Sequence, residues 1–367
     1  MRARLSYGAA VQTLPRAVLL LSGVACSLGL MAASAACGGK LAPLPADAVE
    51  RDSAVDAGAD GMDSAGFDAE AEADTGPPPT LVIATGQAAP VRVVVDSTSV
   101  YWCDNGTGNA DGFLVKAGLD GGSQTRLDVG TDPWALTLNG GYVYWTSFGS
   151  AGSDGTIERV AVDGGAVETL AVSQSYPWGI ATDGKQVYWT QRLSQSGTVS
   201  QAPALVPDPS RATILVQPTY DSSGLALRNG TLFWANYDAD DGVFARAPTG
   251  LVTELATHQD YPFAITTDSN NVYWSTRTAI MAIPLGGGTA VTLAPAAQRV
   301  IDLATDGNYV YWTDYYADTI TEVPVGGGQA ITLATGQIGA YGIAVDASYV
   351  YWTTYTDGTV MKQLKWP

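Results

Sequence analysis

Cations and histidine are what this chain has least of. Eighteen Lys and Arg stand against 36 Asp and Glu, with a single His, for a net charge of -18. Nucleic-acid binding depends on clustered Lys and Arg that displace counterions, so no nucleic-acid partner is expected. With His258 alone, a histidine-rich metal site is excluded, and Ser-His-Asp chemistry would rest on one residue. Cysteine is nearly as scarce: the three are Cys26, Cys37 and Cys103, too few for a disulfide framework. Phe numbers only 6, and charged residues make up 15% of the chain.

What is abundant is Gly (42), with 18 Tyr and 10 Trp. The aromatics fall into a pattern. Val-Tyr-Trp ends at Trp102, Trp145, Trp189, Trp274, Trp312 and Trp352, and Leu232-Phe233-Trp234 takes its place once. The intervals between these tryptophans are 43, 44, 45, 40, 38 and 40 residues. A β-branched and aromatic motif at a period near forty predicts stacked four-stranded blades.

The sixth repeat shows the blade grammar. Short apolar strands are predicted over 300–306, 309–313, 319–325 and 330–334, with turns at Asp306-Gly307-Asn308 and Gly326-Gly327-Gly328. Gly and Asn supply the left-handed backbone that such turns need, and the same punctuation recurs at Asn139-Gly140, Asp183-Gly184 and Asn229-Gly230. After Trp352 there is room for a third strand, 358–364, and no fourth, while one surplus strand, 81–86, precedes the first repeat. That surplus, Leu-Val-Ile-Ala-Thr-Gly, matches Ile331-Thr-Leu-Ala-Thr-Gly336 of an outer strand. It is therefore expected to complete blade seven and close the ring, hiding edges that an open array would expose. The fold class expected over 81–367 is all-β, a seven-bladed propeller of antiparallel blades. Gly179-Ile180-Ala181, Gly224-Leu225-Ala226 and Gly342-Ile343-Ala344 read as inner strands, small because blades crowd at the axis.

The N-terminal region reads as an address. Arg2, Arg4 and Arg16 precede an apolar run, Ala17 to Leu30, and then small residues, which describes a secretory signal over 1–36. Ser34-Ala35-Ala36-Cys37 resembles the bacterial lipobox, which implies lipid attachment at Cys37 and a membrane anchor. Ala33-Ser34-Ala35 suits ordinary signal peptidase instead, giving a soluble periplasmic or extracellular product. Residues 41–80 hold ten acids against Arg51 and little to bury, so 37–80 reads as a disordered acidic tether.

Tyr311-Trp312-Thr313-Asp314 spells the motif of the YWTD repeats, the class B propeller repeats of low-density-lipoprotein receptors, and residues 81–367 resemble those repeats throughout. The resemblance implies a propeller with the motif on each second strand. Seven repeats stand here where the receptor propellers have six blades, so the closer likeness is to bacterial exported propellers carried on a lipidated, acidic leader.

Candidate binding residues lie in the loops that join an outer strand to the next inner strand: Asp132, Trp134, Tyr176, Trp178, Tyr220, Asp260, Tyr261, Phe263 and Tyr341. Aromatics with carboxylates around a funnel mouth suit a protein, peptide or glycan ligand, or a cationic group; the competing reading is packing between blades. Acids in the loops between second and third strands reach the same face, among them Asp104, Asp111, Asp154, Asp241, Asp318 and Asp357. Asn236, Asp238 and Asp240 alternate as calcium ligands do, without the distal Glu of a calcium loop, so calcium is the one cofactor considered. His258 reads as an ordinary polar residue of a loop leaving blade four; seven-bladed lyases of the streptogramin-inactivating type use a histidine, but no second feature supports that comparison. Cys103, beside Trp102, reads as a small core residue. The preferred reading is a non-enzymatic binding or scaffold module on the cell envelope. The alternative is a lyase or hydrolase working at the funnel through carboxylates or calcium.

Overall fold

The computed structural model describes residues 77–365, apart from 108–110, 130–131, 150–151, 194–195, 238–240 and 296–298. The signal segment, Cys37 and nearly all of the acidic stretch lie outside the described residues, as do Asp238 and Asp240.

The described chain forms seven antiparallel sheets of four strands each. Six blades are continuous in sequence: one over 90–129, two over 133–174, three over 177–219, four over 222–259, five over 265–295 and six over 300–334. Blade seven takes three strands from 340–364 and its outer strand, Leu81–Ala84, from the front of the chain. The expected clasp is therefore present, with Val82 opposite Met361 and Ala84 opposite Val360. Inner strands pack against one another in order round the ring, and Ala340–Val345 of blade seven packs against Pro90–Val95 of blade one. The only helix among the described residues is a 3₁₀ turn, Pro209–Arg211. No helix among the described residues is long and apolar enough to cross a membrane.

Each letter of the repeated motif has a separate task. Val and Trp share one face of the second strand and Tyr takes the other. Because both faces lie between blades, Val143, Tyr144, Trp145 and their counterparts are buried, except that Tyr188 is only partly so. Five of the motif tyrosines keep their hydroxyls satisfied by reaching the first turn of their own blade. Tyr101, Tyr188, Tyr273, Tyr311 and Tyr351 donate to Asp96, Asp183, Asp268, Asp306 and Asp346 at 2.7–3.3 Å. Each Asp also accepts the backbone N–H groups two and three residues on, which fixes the turn. Burial and the adjacent carboxylates push the Tyr101 and Tyr188 phenols up to about 12. Blade four shows the dependence: Phe233 lacks the hydroxyl, and its turn carries Arg228 in place of Asp.

In blades three, six and seven the residue after the Trp joins its blade to the next. Thr190 donates to the Ser223 carbonyl at 3.1 Å, Thr313 to Tyr341 at 2.6 Å and Thr353 to Val91 at 2.9 Å. In blade four this position is Ala235, and Ser223 of the inner strand supplies the hydroxyl instead, bonding the Phe263 carbonyl at 2.9 Å. A third link is cationic. Lys116 donates to Val162 O, Arg159 to Ala204 O and Lys362 to Leu119 O, each reaching the next blade. A fourth joins the Trp itself: the indoles of Trp102, Trp189, Trp274 and Trp352 donate to Gln87, Gln174, Gln259 and Gln337 at 2.8–3.0 Å.

Crowding at the hub explains the small inner residues. A Cβ on Gly179 would lie 2.9 Å from Leu225, and one on Gly224 would lie 2.7 Å from the Phe263 carbonyl, so each blade's backbone fills the space a side chain would need. The exception is an ion pair. Arg92 of blade one reaches Asp302 of blade six, and Asp302 also accepts the backbone N–H of Ile343 on blade seven, so the pair spans the closing blade at its inner end.

Candidate functional site

In an up-and-down blade, the loops after second strands and the loops entering inner strands emerge on the same face. A bond that recurs round the ring holds them together. The backbone N–H three residues after each signature Trp donates to the loop entering its own blade's inner strand. The pairs are Asn105 to Ala89, Phe148 to Asp132, Arg192 to Tyr176, Tyr237 to Asp221, Arg277 to Asp260, Tyr315 to Arg299 and Tyr355 to Gly339, at 2.8–3.2 Å. Blade five is slipped by one residue, since its acceptor is Asp260 rather than Tyr261. This bond sets two rings of side chains side by side at the mouth.

Most of the predicted aromatics meet there. Trp134 stacks on Phe148 at 4.6 Å and touches Trp178 at 4.6 Å and Tyr341 at 5.9 Å, while Trp178 reaches Phe263 at 6.0 Å. Phe148 adds Tyr176 at 6.1 Å, and Tyr237 joins Tyr261 at 5.1 Å to Phe263 at 5.5 Å. Tyr341 continues to Tyr315 and Tyr355. Because Trp178 of blade three meets Phe263 of blade five, the cluster reaches past neighbouring blades and fills the mouth with rings. Trp134 and Trp178 are its packed centre. Tyr220 makes none of these ring contacts and stands 48% exposed, beside Tyr176 at 46% and Tyr316 at 59% as the most open rings of this face.

Arg192 lies within this cluster, 4.5 Å from the Trp178 ring and 4.8 Å from Tyr237, with its Nε 3.0 Å from the Asp221 carboxylate. Arg277 lies 4.2 Å from the Tyr261 ring, and Arg299 lies 5.7 Å from Tyr316, whose hydroxyl accepts its Nη1 at 3.3 Å. The sequence reading missed Phe148, Arg192, Tyr237, Arg277, Tyr315 and Tyr355. All six stand three residues after a signature Trp, a fixed offset that marks them without any structure.

The predicted acids divide. Asp132 is partly buried, its Oδ1 and the Nε1 atoms of Trp134 and Trp178 lack hydrogen-bond partners, and burial, with Asp111 nearby, raises its carboxyl above the usual range. Asp260 offers its backbone carbonyl to Arg277. Asp104 is a structural cap: its carboxylate accepts Ala88, Ala89 and Gly106 N–H groups at 2.9–3.0 Å, the part Asp314 plays for Tyr316 and Ala317. The motif's Asp thus stands twice, at Asp104 as well as Asp314. Asp318 accepts Gly339 N–H.

Of the calcium candidates, Asn236 is buried and its Oδ1 accepts the Ser222 hydroxyl at 2.9 Å. Among the described residues, no three His, Cys, Asp or Glu side chains gather as metal ligands. His258 is not in a loop: it lies on the exposed outer strand Val252–Gln259 with φ +53. The residue before each indole-binding glutamine adopts this left-handed form, with Gly86 at +71, Ser173 at +56 and Gly336 at +68, so His258 holds a backbone position that glycine fills elsewhere.

No family model matches the chain, and no curated protein matches it. Solved structures do. Virginiamycin B lyase from Staphylococcus aureus is 16% identical with a TM-score of 0.63, covering 78% of this chain and 99% of the lyase. A catalytically inactive His→Ala variant of that lyase, solved with quinupristin, is 15% identical with the same TM-score and coverage. A chain of the nidogen/laminin complex is 18% identical with a TM-score of 0.52, covering 64% of this chain and 95% of that one. At such identities the likeness is one of fold. The protein is an all-β, seven-bladed propeller.

Proposed function

We propose that this protein is a non-enzymatic binding module that takes a protein or peptide partner on its aromatic mouth face. One observation carries the reading. Tyr176 and Tyr261 stand in left-handed backbone at φ +45 and +51, at the loop position where blade seven has Gly339 at +73. A non-glycine residue in this conformation costs roughly 1 kcal/mol. Tyr176 is 46% exposed, so burial does not offset that cost. Strain retained for an exposed ring points to recognition. Tyr and Arg together are also the residues that dominate protein interfaces. The nidogen/laminin match supports a propeller as a protein-binding scaffold.

The same proposal places the module on the cell envelope, tethered through Cys37 and the acidic stretch before Thr80, on the strength of the N-terminal pattern alone. Tyr176→Gly and Tyr261→Gly separate recognition from packing. Recognition predicts unchanged or raised melting temperatures with loss of signal on peptide and glycan arrays. Lowered melting temperatures with unchanged array binding would overturn it. A mature N-terminus that mass spectrometry finds unlipidated would overturn the anchor only.

A further inference from the structure

The mouth repeats one juxtaposition: the residue three after a signature Trp meets the residue leading into the next blade's inner strand. Phe148 meets Tyr176 at 6.1 Å, Arg192 meets Asp221 at 3.0 Å, and Tyr237 meets Tyr261 at 5.1 Å. Between blades five and six the corresponding residues are Arg277 and Arg299. Where blades three and four complete an ion pair, blades five and six therefore set two arginines.

Neither arginine forms an ion pair with a described residue. Six other cations among the described residues do: Arg92, Lys116, Arg159, Arg192, Lys362 and Lys365. In a chain with twice as many acids as bases, two exposed arginines at these corresponding positions, without a carboxylate among the described residues, run against composition. Both are held in place. Arg277 lies on the Tyr261 ring and its backbone N–H donates to the Asp260 carbonyl at 3.0 Å; the Arg299 guanidinium bonds Tyr316, and its backbone carbonyl accepts Tyr315 N–H at 2.9 Å. The repeat register sets a second cation where the junction of blades three and four sets a carboxylate, so an oxyanion is the group that would complete the pair. A guanidinium lying on a ring keeps its N–H edge free for two-pronged bonding to an oxyanion.

We propose that Arg277 and Arg299 form a site for a carboxylate of a peptide partner, with Tyr261 and Tyr316 as its walls. The proposal rests on the mouth face being a binding face and names the chemistry it selects. Asp221 on Arg192 shows which anion the equivalent position takes: a carboxylate. The chain's net charge of -18 favours the same choice, since a densely charged sulfated glycan or polyphosphate meets more repulsion than an isolated carboxylate.

The test uses the full mature chain and a labelled Gly-Ser peptide carrying two glutamates, its glutamine twin, and heparin and inorganic phosphate as competitors. The glutamate peptide is expected to bind at least about tenfold tighter than its twin, and less tightly as salt rises. Arg277→Gln with Arg299→Gln removes that preference. Arg299→Asp rebuilds inside the chain the pair that Arg192 makes, so it abolishes peptide binding while the melting temperature holds or rises. Arg126→Gln, on blade one, changes nothing. Equal binding of the two peptides, no binding of either, or binding retained by Arg299→Asp overturns the assignment. So does tighter binding of heparin or phosphate, which would assign the arginines to a glycan or phosphate ligand. A partner lost with Tyr176→Gly and Tyr261→Gly but kept with the arginine variants overturns the carboxylate site and leaves the binding face standing.

Discussion

The hydroxyl of Thr353 on blade seven donates to the carbonyl of Val91 on blade one at 2.9 Å, tying residues 262 positions apart. Thr353 also accepts the N–H of Gly342 at 2.9 Å, so one hydroxyl satisfies both the inner strand of its own blade and that of the next. Thr353→Val keeps the shape and leaves both buried backbone groups unpaired, at about 1–3 kcal/mol. Denaturant unfolding is expected to show that loss, and deletion of 81–86 a larger one. A deletion variant that melts like the parent would mean the ring is not held at this seam.

The seam between blades three and four lacks a staple that others have. Trp234 Nε1 and Thr219 Oγ1 are both buried without partners, and Thr219 stands where Gln87, Gln174, Gln259 and Gln337 bind their indoles. Thr219→Gln is expected to stabilise the ring by about 1 kcal/mol, and Gln259→Thr to cost about as much. Opposite shifts in melting temperature for the two variants are the measurement.

Glu322 on blade six is nearly fully buried, with Oε2 unpartnered, at the position where Lys116, Arg159 and Lys362 reach the next blade. It lies opposite Tyr311, with Asp306 and Lys365 as its charged neighbours. Burial, reinforced by Asp306 and opposed by Lys365, pushes its carboxyl up to about 7 from 4.5. Below 4.5 the group is protonated in both folded and unfolded chains. Between 4.5 and 7 the unfolded chain ionises first, so folding loses ground as pH rises, and above 7 the loss is complete. The loss is about 1–2 kcal/mol after solvent screening. Glu322→Gln is expected to remove this part of the pH dependence, leaving the rest. A parent and variant with parallel stability–pH curves would exclude the effect.

Cys103 occupies the position of the bridging threonines and is fully buried, which pushes its thiol far above the usual range. The native protein should therefore react with thiol reagents only at its unfolding rate. Cys103→Thr restores the hydroxyl that other blades use and is expected to hold or raise the melting temperature. Rapid labelling under native conditions would show the thiol to be reachable.

The sequence by itself determined the seven-fold repeat, the small hub residues and the strand that completes blade seven, because these depend on periods and on one matching segment. Val, Tyr and Trp face the same environment in every blade, so their tasks leave a repeating mark. The mouth is different. Trp134 and Trp178 were legible as aromatics, but only the tertiary structure showed them packed against Phe148 and Phe263, on other loops. The Arg277–Arg299 site proposed above would join a loop of blade five to the entry of blade six. Which side chains meet at the axis follows from how far each blade turns relative to the last, and no local pattern encodes that angle. His258 makes the converse point: it reads from the sequence as an ordinary polar loop residue, whereas it lies on an outer strand with a backbone dihedral otherwise held by Gly and Ser.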